Sequence, residues 1–343
     1  MKAIRPEYYP FILLVIFVIG AIIVFWSVMD MVLLGASLTI VLFPLFKKIS
    51  ARIRPVFASA LLTAIVLVGS CAMALFTLAI FSSNAGTLSG MFGTIGTWLN
   101  NPATNPMAYG VPLNKGNLAV LLDEGFAIFI NYEKTLIEYL PLIAFKMFVF
   151  FFTLFILFIR GEEIRDKLLM HVPEPLQKYV TRLSDVTSDT LYTVYIVQIA
   201  IAVLTFFIAL PVFYLLGYGN ILFFSFFAAF CELIPVLGSS VAFIIIGAYA
   251  LALGDTRGVL LLFILGYLGV SLVPEVYIRP ALVGRRVKIN FLIMFIGIVG
   301  GLMTMGLAGF VLGPLIVVLV ITSYRIYTED KKEKKENAGT CDP

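Results

Sequence analysis

Glu232 stands in the stretch CELIPVLGSS, residues 231–240, with apolar runs on both sides, Pro235 and Gly238 behind it, and Ser239 and Ser240 closing the motif. A carboxylate in such surroundings does one of two things. It handles a proton or a cation where water is scarce, or it stays protonated and hydrogen-bonded to backbone that the proline and glycine have freed. A broken helix also exposes unpaired N–H and C=O groups, which bind a polar solute or a cation without any charged side chain. Pro235, Gly238, Ser239 and Ser240 supply one such break, and Thr304, Gly306 and Gly309, followed by Gly313 and Pro314, supply a second. The same glycines would also allow close helix packing, but two breaks together favour a site. Glu275 and Arg279 are one helical turn apart between Pro274 and Pro280, a spacing that permits an ion pair. Such a pair is a gate if it breaks and reforms, and an interfacial anchor if it does not. Gln198, in a separate apolar segment, either hydrogen-bonds across helices as packing glue or lines the same route.

The elements that position these residues follow from composition. Of 343 residues, 61% are hydrophobic and 13% charged, about half the charge of a soluble domain. Several apolar stretches exceed the roughly 20 residues that cross about 30 Å of hydrocarbon as a helix. An all-α polytopic membrane protein is expected, a bundle facing the lipid bilayer. The net charge of +4 comes from short loops and a tail, with no single basic stripe, so nucleic acid is not an expected partner. One histidine and three cysteines show neither a pairing pattern nor metal-ligand spacing. No paired aspartates, nucleophile–base set or metal motif points to an enzyme, and no cofactor is expected.

Along the chain, residues 1–82 read as three spans (11–26, 28–46 and 56–82), the first two separated by SVMD and the first a retained anchor rather than a cleaved signal peptide. Residues 83–140 read as an outer loop carrying an amphipathic helix, and 141–190 as a fourth span followed by a cytoplasmic amphipathic helix whose first turn holds Pro175. Residues 191–325 form a transport core of a fifth span, a sixth span and two long apolar segments, and 326–343 a disordered cytoplasmic tail.

The two long segments, 221–253 and 291–323, would each measure about 50 Å as one helix, too long for a single crossing. Folded in half at their prolines and glycines they become two re-entrant hairpins, for an eight-span equivalent. With that layout 20 of the 24 basic residues, and both termini, fall on the cytoplasmic side of the cell membrane. Two short full crossings per segment satisfy the charges equally well. The order span then hairpin occurs twice, with Asn220 and Asn290 at equivalent entrances, which reads as an inverted repeat of the kind found in secondary transporters.

ELIPVLGSSVAFII resembles the I-P-x-x-G segment of the autoinducer-2 exporter-like (AI-2E, UPF0118) membrane proteins, EVYIRPALVGRRVKIN their P-x-x-x-G loop, and GGLMTMGLAGFVLGPLIVV their glycine-rich last segment. The resemblance implies cytoplasmic termini, a homo-oligomer, and either export of small signalling metabolites or sodium/proton exchange. Two positions depart from the family pattern. Ser239 or Ser240 stands where many members have proline, and Asn290 where a His-Pro pair is common.

The function expected is secondary transport of a small polar metabolite or signalling molecule, in the direction of export. The two hairpin tips would meet near the midplane, and Glu232 would couple movement to a proton or sodium ion. The alternatives are a sodium/proton antiporter, for which one deep carboxylate is few, and a passive channel.

Overall fold

The computed structural model describes residues 9–100, 115–234, 238–279, 281 and 291–339. Among them the chain is helical and has no strand. The helices are α1 (Tyr9–Ser50), α2 (Pro55–Ser83), α3 (Ala85–Asn100), α4 (Lys115–Met170), α5 (Glu174–Tyr192), α6 (Gln198–Leu216), α7 (Ile221–Glu232), α8 (Ser240–Ala252), α9 (Thr256–Leu261) and α10 (Phe291–Gly339). Wider π-helical turns join α5 to α6 at Thr193–Val197 and extend α9 through Leu262–Leu272 and Pro274–Ile278. Among the described residues six helical stretches are long and apolar enough to cross a membrane, and the protein is a multi-pass membrane protein.

Three segments differ in form from what the sequence suggested. The first two spans are one continuous helix of 42 residues, so two helices rather than three precede residue 83. SVMD makes no turn because Asp30 finds its partner inside the bundle: Lys146 Nζ lies 2.8 Å from its Oδ2, with both side chains largely buried. Second, the start of the expected outer loop is α3, which buries Leu88, Met91 and Ile95 along one helix face and packs on α8. Third, α10 continues to Gly339 through the segment read as a disordered tail. Its Glu and Lys residues are strong helix formers, and Glu329 accepts a hydrogen bond from Arg182 of α5 at 2.7 Å.

The chain divides into two compact units. The first comprises residues 1–65, 141–191 and 289–343. Apolar attraction between helices is weak in lipid, so close van der Waals fit and interhelical hydrogen bonds hold it. A Cβ on Gly35 would come within 3.0 Å of the Phe150 carbonyl oxygen of α4. Ser59 donates to the Phe155 carbonyl at 2.9 Å, and Phe46 stacks on Phe158 with ring centroids 5.2 Å apart. Within α10 the helical path breaks at Gly306, whose φ of 58° and ψ of −138° suit glycine alone. Gly297 lies against Gly313 and Gly301 against Gly309, so closely that a Cβ on Gly301 would overlap the Gly309 carbonyl.

The second unit comprises residues 66–140 and 192–288. Its core is aromatic. Phe81 sets its ring edge-on to Phe223, Phe226, Phe227 and Phe230, and Phe213 stacks on Phe243. α7 has 12 residues and α8 has 13, roughly 18–20 Å each and shorter than the hydrocarbon layer. They pack on each other, and α7 also packs on α6.

Candidate functional site

The second unit gathers its polar side chains where α7 stops. After Glu232 the chain leaves the helix, and Gly238 takes a φ of 57° so that Ser239 can start α8 as its N-cap. The first N–H groups of a helix have no intrahelical acceptor. Here the Glu232 carboxylate supplies one: Ser239 N–H donates to its Oε2 at 2.7 Å. The positive end of α8 therefore faces a carboxylate, the favourable sign. Gly238 is small for the same reason, since a Cβ there would stand 3.3 Å from that oxygen.

The carbonyls at the end of α7 raise the opposite need. Gln198, the first residue of α6, donates its Nε2 to the Glu232 backbone carbonyl and accepts at its Oε1 from Arg279 Nη1 at 3.1 Å. Arg279 comes from the far end of the π-helical stretch, where its Nε donates to Glu275 Oε2 at 2.7 Å. Its Nη2 stands 3.6 Å from Glu232 Oε1, an ion pair too long for a hydrogen bond. Ser239 Oγ meets Ser271 Oγ at 2.9 Å. The exposures run in order across the cluster: Glu232 is 2% and Gln198 3% exposed, while the side chain of Arg279 is 19% and that of Glu275 45% exposed. One guanidinium is thus shared between a sealed carboxylate and an open one.

Of the residues singled out in the sequence, Gln198, Glu232, Gly238, Ser239, Glu275 and Arg279 come together here. Ser240 is the first residue of α8 and is half-buried. Pro235 and Asn290 lie outside the described residues. Thr304, Gly306 and Gly309 belong to the other unit. There Thr304 turns its hydroxyl back to the Gly300 carbonyl of its own helix at 2.9 Å, and Gly309 packs on Gly301.

Ser271 is the member that sequence reasoning passed over. Its signal is the spacing Ser271, Glu275, Arg279 in an otherwise apolar span, a polar stripe along one helix face. Among the described residues no group of three His, Cys, Asp or Glu side chains is placed to hold a metal ion.

A second polar cluster ties two turns of the same unit together, beyond the apolar helices. Tyr218 donates its hydroxyl to Asp255 Oδ2 at 2.7 Å, and Gly258 N–H donates to Oδ1 at 2.9 Å. The Tyr218 bond first, and the Gly258 bond after it, hold the Asp255 carboxyl below its ordinary range. Burial, and then Asp255 itself, push the Tyr218 hydroxyl well above its ordinary range.

What can this arrangement do? The Glu232 cluster is a set of charge-assisted hydrogen bonds where one helix stops and the next begins, buried among apolar helices, and a small polar or charged species bound there would change the balance of every bond. Sequence comparison agrees with a transport role. Residues 11–329 match the profile described as AI-2E family transporter. A protein of Methanothermobacter thermautotrophicus is 25% identical over 84% of this chain and 84% of its own length. One of Methanocaldococcus jannaschii is 24% identical over 64% of this chain and 66% of its own, and one of Pyrococcus horikoshii 24% identical over 83% and 78%. Each is provisionally named a transport protein, and none of the names specifies a substrate. With the profile spanning all but the two ends of the sequence, this chain belongs to the AI-2E transporter family.

Proposed function

We propose that the protein is a secondary transporter that moves a small polar metabolite or signalling molecule outward across the cell membrane, and that Glu232 couples the movement to a proton or sodium ion. The observation that carries this reading is the Glu232 carboxylate, buried among apolar helices, capping α8 while facing an arginine it does not fully engage. Neutralising Glu232 weakens its hold on Arg279 and on the α8 N-terminus together, so one binding event loosens contacts to α8 and to the end of the π-helical span. In this reading α7 and α8 form a re-entrant hairpin, because neither is long enough to cross. The kinked start of α10 is its inverted counterpart, and the chain works as a homo-oligomer. The basic loops and the C-terminal end of α10 face the cytoplasm. The Glu275–Arg279 pair serves as a gate, since Glu275 is its more exposed half.

The test is flux in proteoliposomes loaded with a metabolite mixture, read by mass spectrometry, for the wild type and Glu232→Gln. The expected result is solute movement that depends on a pH or sodium gradient in the wild type and loses that dependence in the variant. Unchanged gradient dependence in Glu232→Gln removes the coupling role. Single-channel openings in planar bilayers would replace the carrier with a pore.

A further inference from the structure

A guanidinium carries five N–H donors and no acceptor. Arg279 uses one on Glu275 and one on Gln198, and among the described residues its Nη2 is buried with no hydrogen-bond partner. A buried, unpaired donor of this kind is rare in folded proteins and costs free energy until an acceptor reaches it. The neighbouring side chains do not fill the gap. Glu232 is held by the Ser239 N–H and stays 3.6 Å away, while Ser239 and Ser271 bond each other. Donors are therefore in excess on the Arg279 side of the cluster. The planar fork of arginine matches the paired oxygens of a carboxylate or phosphate. The charged groups that face it among the described residues are Glu232 from α7 and Glu275 from its own helix, and Glu275 is the more exposed of the two.

We infer that the transported solute is acidic, and that its carboxylate or phosphate binds the free Nη2 edge of Arg279 in competition with Glu232. This rests on the transport reading above and adds to it the chemical class of the cargo. Glu232 then stands in for the guest while the site is empty. An incoming anion takes the guanidinium, and Glu232 keeps only the α8 cap. Removing the charge of Glu232 should therefore strengthen anion binding, an effect that a merely structural arginine would not produce.

The experiment is thermal unfolding of the purified full chain in detergent, titrated with succinate and with inorganic phosphate, with xylitol as a neutral probe and choline as a cationic one, all at matched ionic strength. A saturable rise in midpoint with succinate or phosphate is expected in the wild type. It should be lost in Arg279→Gln, be about tenfold weaker in Arg279→Lys, which keeps the charge but not the fork, and be tighter in Glu232→Gln. Anion shifts that persist in Arg279→Gln, or the absence of any anion shift in a folded Glu232→Gln protein, overturn the inference. A xylitol shift that disappears in Arg279→Gln overturns the acidic class and leaves the transport reading standing. Phosphatidylglycerol in nanodiscs that abolishes the succinate shift identifies a lipid headgroup as the occupant and overturns the acidic cargo. Failure of the transport reading shows elsewhere, in proteoliposomes that move no solute at all.

Discussion

The helical path breaks between α7 and α8 and again at Gly306, and the two places solve the same backbone problem by different chemistry. At the first, both legs are short, and the exposed ends are met by side chains: the Glu232 carboxylate caps α8 and Gln198 takes the carbonyl at the end of α7. At the second, the leg Phe295–Gly306 is short but the one after it, Ala308–Glu329, is long enough to span a membrane, and glycine packs on glycine across the bend. At that tip Met303 is 83% exposed, and among the described residues nothing beyond its chain neighbours lies within 4 Å of the place a Gly306 Cβ would occupy. A polar residue at a break meets its backbone with hydrogen bonds and charge. Glycine alone turns it into a joint.

The comparison is broken most severely by filling the joint. Gly301→Leu places a side chain against the Gly309 backbone, which cannot retreat as a side chain can. A loss at or above the upper end of the about 1–3 kcal/mol typical of overpacking is expected, seen as a collapse of folded yield in size-exclusion profiles. If that variant folds normally, the bend at Gly306 is not held by glycine contact.

Glu232 separates capping from charge. Glu232→Ala leaves the Ser239 N–H without an acceptor and should cost about 1–2 kcal/mol in thermal or denaturant unfolding. Glu232→Gln keeps an oxygen for the cap, so its stability should lie within about 1 kcal/mol of the wild type while gradient-driven flux is lost. Equal instability in the two variants would mean that the charge, and not the cap, holds the break together.

The Tyr218–Asp255 latch gives a smaller effect with a definite sign. The Asp255 carboxyl is depressed in the folded protein, so its contribution is present above the unfolded value near pH ~4 and fades as pH falls through the folded one. Tyr218 is raised, so its contribution is present below about pH 10 and fades as pH rises. Tyr218→Phe should lower the unfolding midpoint at neutral pH and flatten both limbs of its pH profile. A profile with the wild-type shape would discard the latch.

Smallest of all, Thr304→Ala removes a hydroxyl that only bonds back to its own helix. Stability should change by less than about 0.5 kcal/mol, with flux unaffected. A flux defect in this variant would give the second break a polar role and erase the contrast.

Both breaks were legible in the sequence, because proline and glycine inside apolar runs too long for one crossing leave few other foldings. The partners at the first break were only half legible. Glu275 and Arg279 share a helical turn and could be paired from spacing alone. The ties from Arg279 to Gln198 and Glu232 span three different helices, and a single sequence contains no term for that proximity. Asp30 misled for a related reason. An acidic residue between apolar runs looks like a turn until its counter-ion, Lys146, is known to lie across the bundle. The end of α10 misled because the strong charge that suggests solvation is made of residues that also favour a helix.

The continuity of α1 reaches beyond its own packing. A rod of 42 residues measures about 63 Å, twice the roughly 30 Å thickness of a lipid interior, and it contains no elbow at which to return. If it pierces the bilayer at all, Tyr9 and Ser50 emerge into different compartments. The basic run that follows Ser50 then answers to the side opposite Tyr9, and the parity of every later crossing is counted from that single shaft.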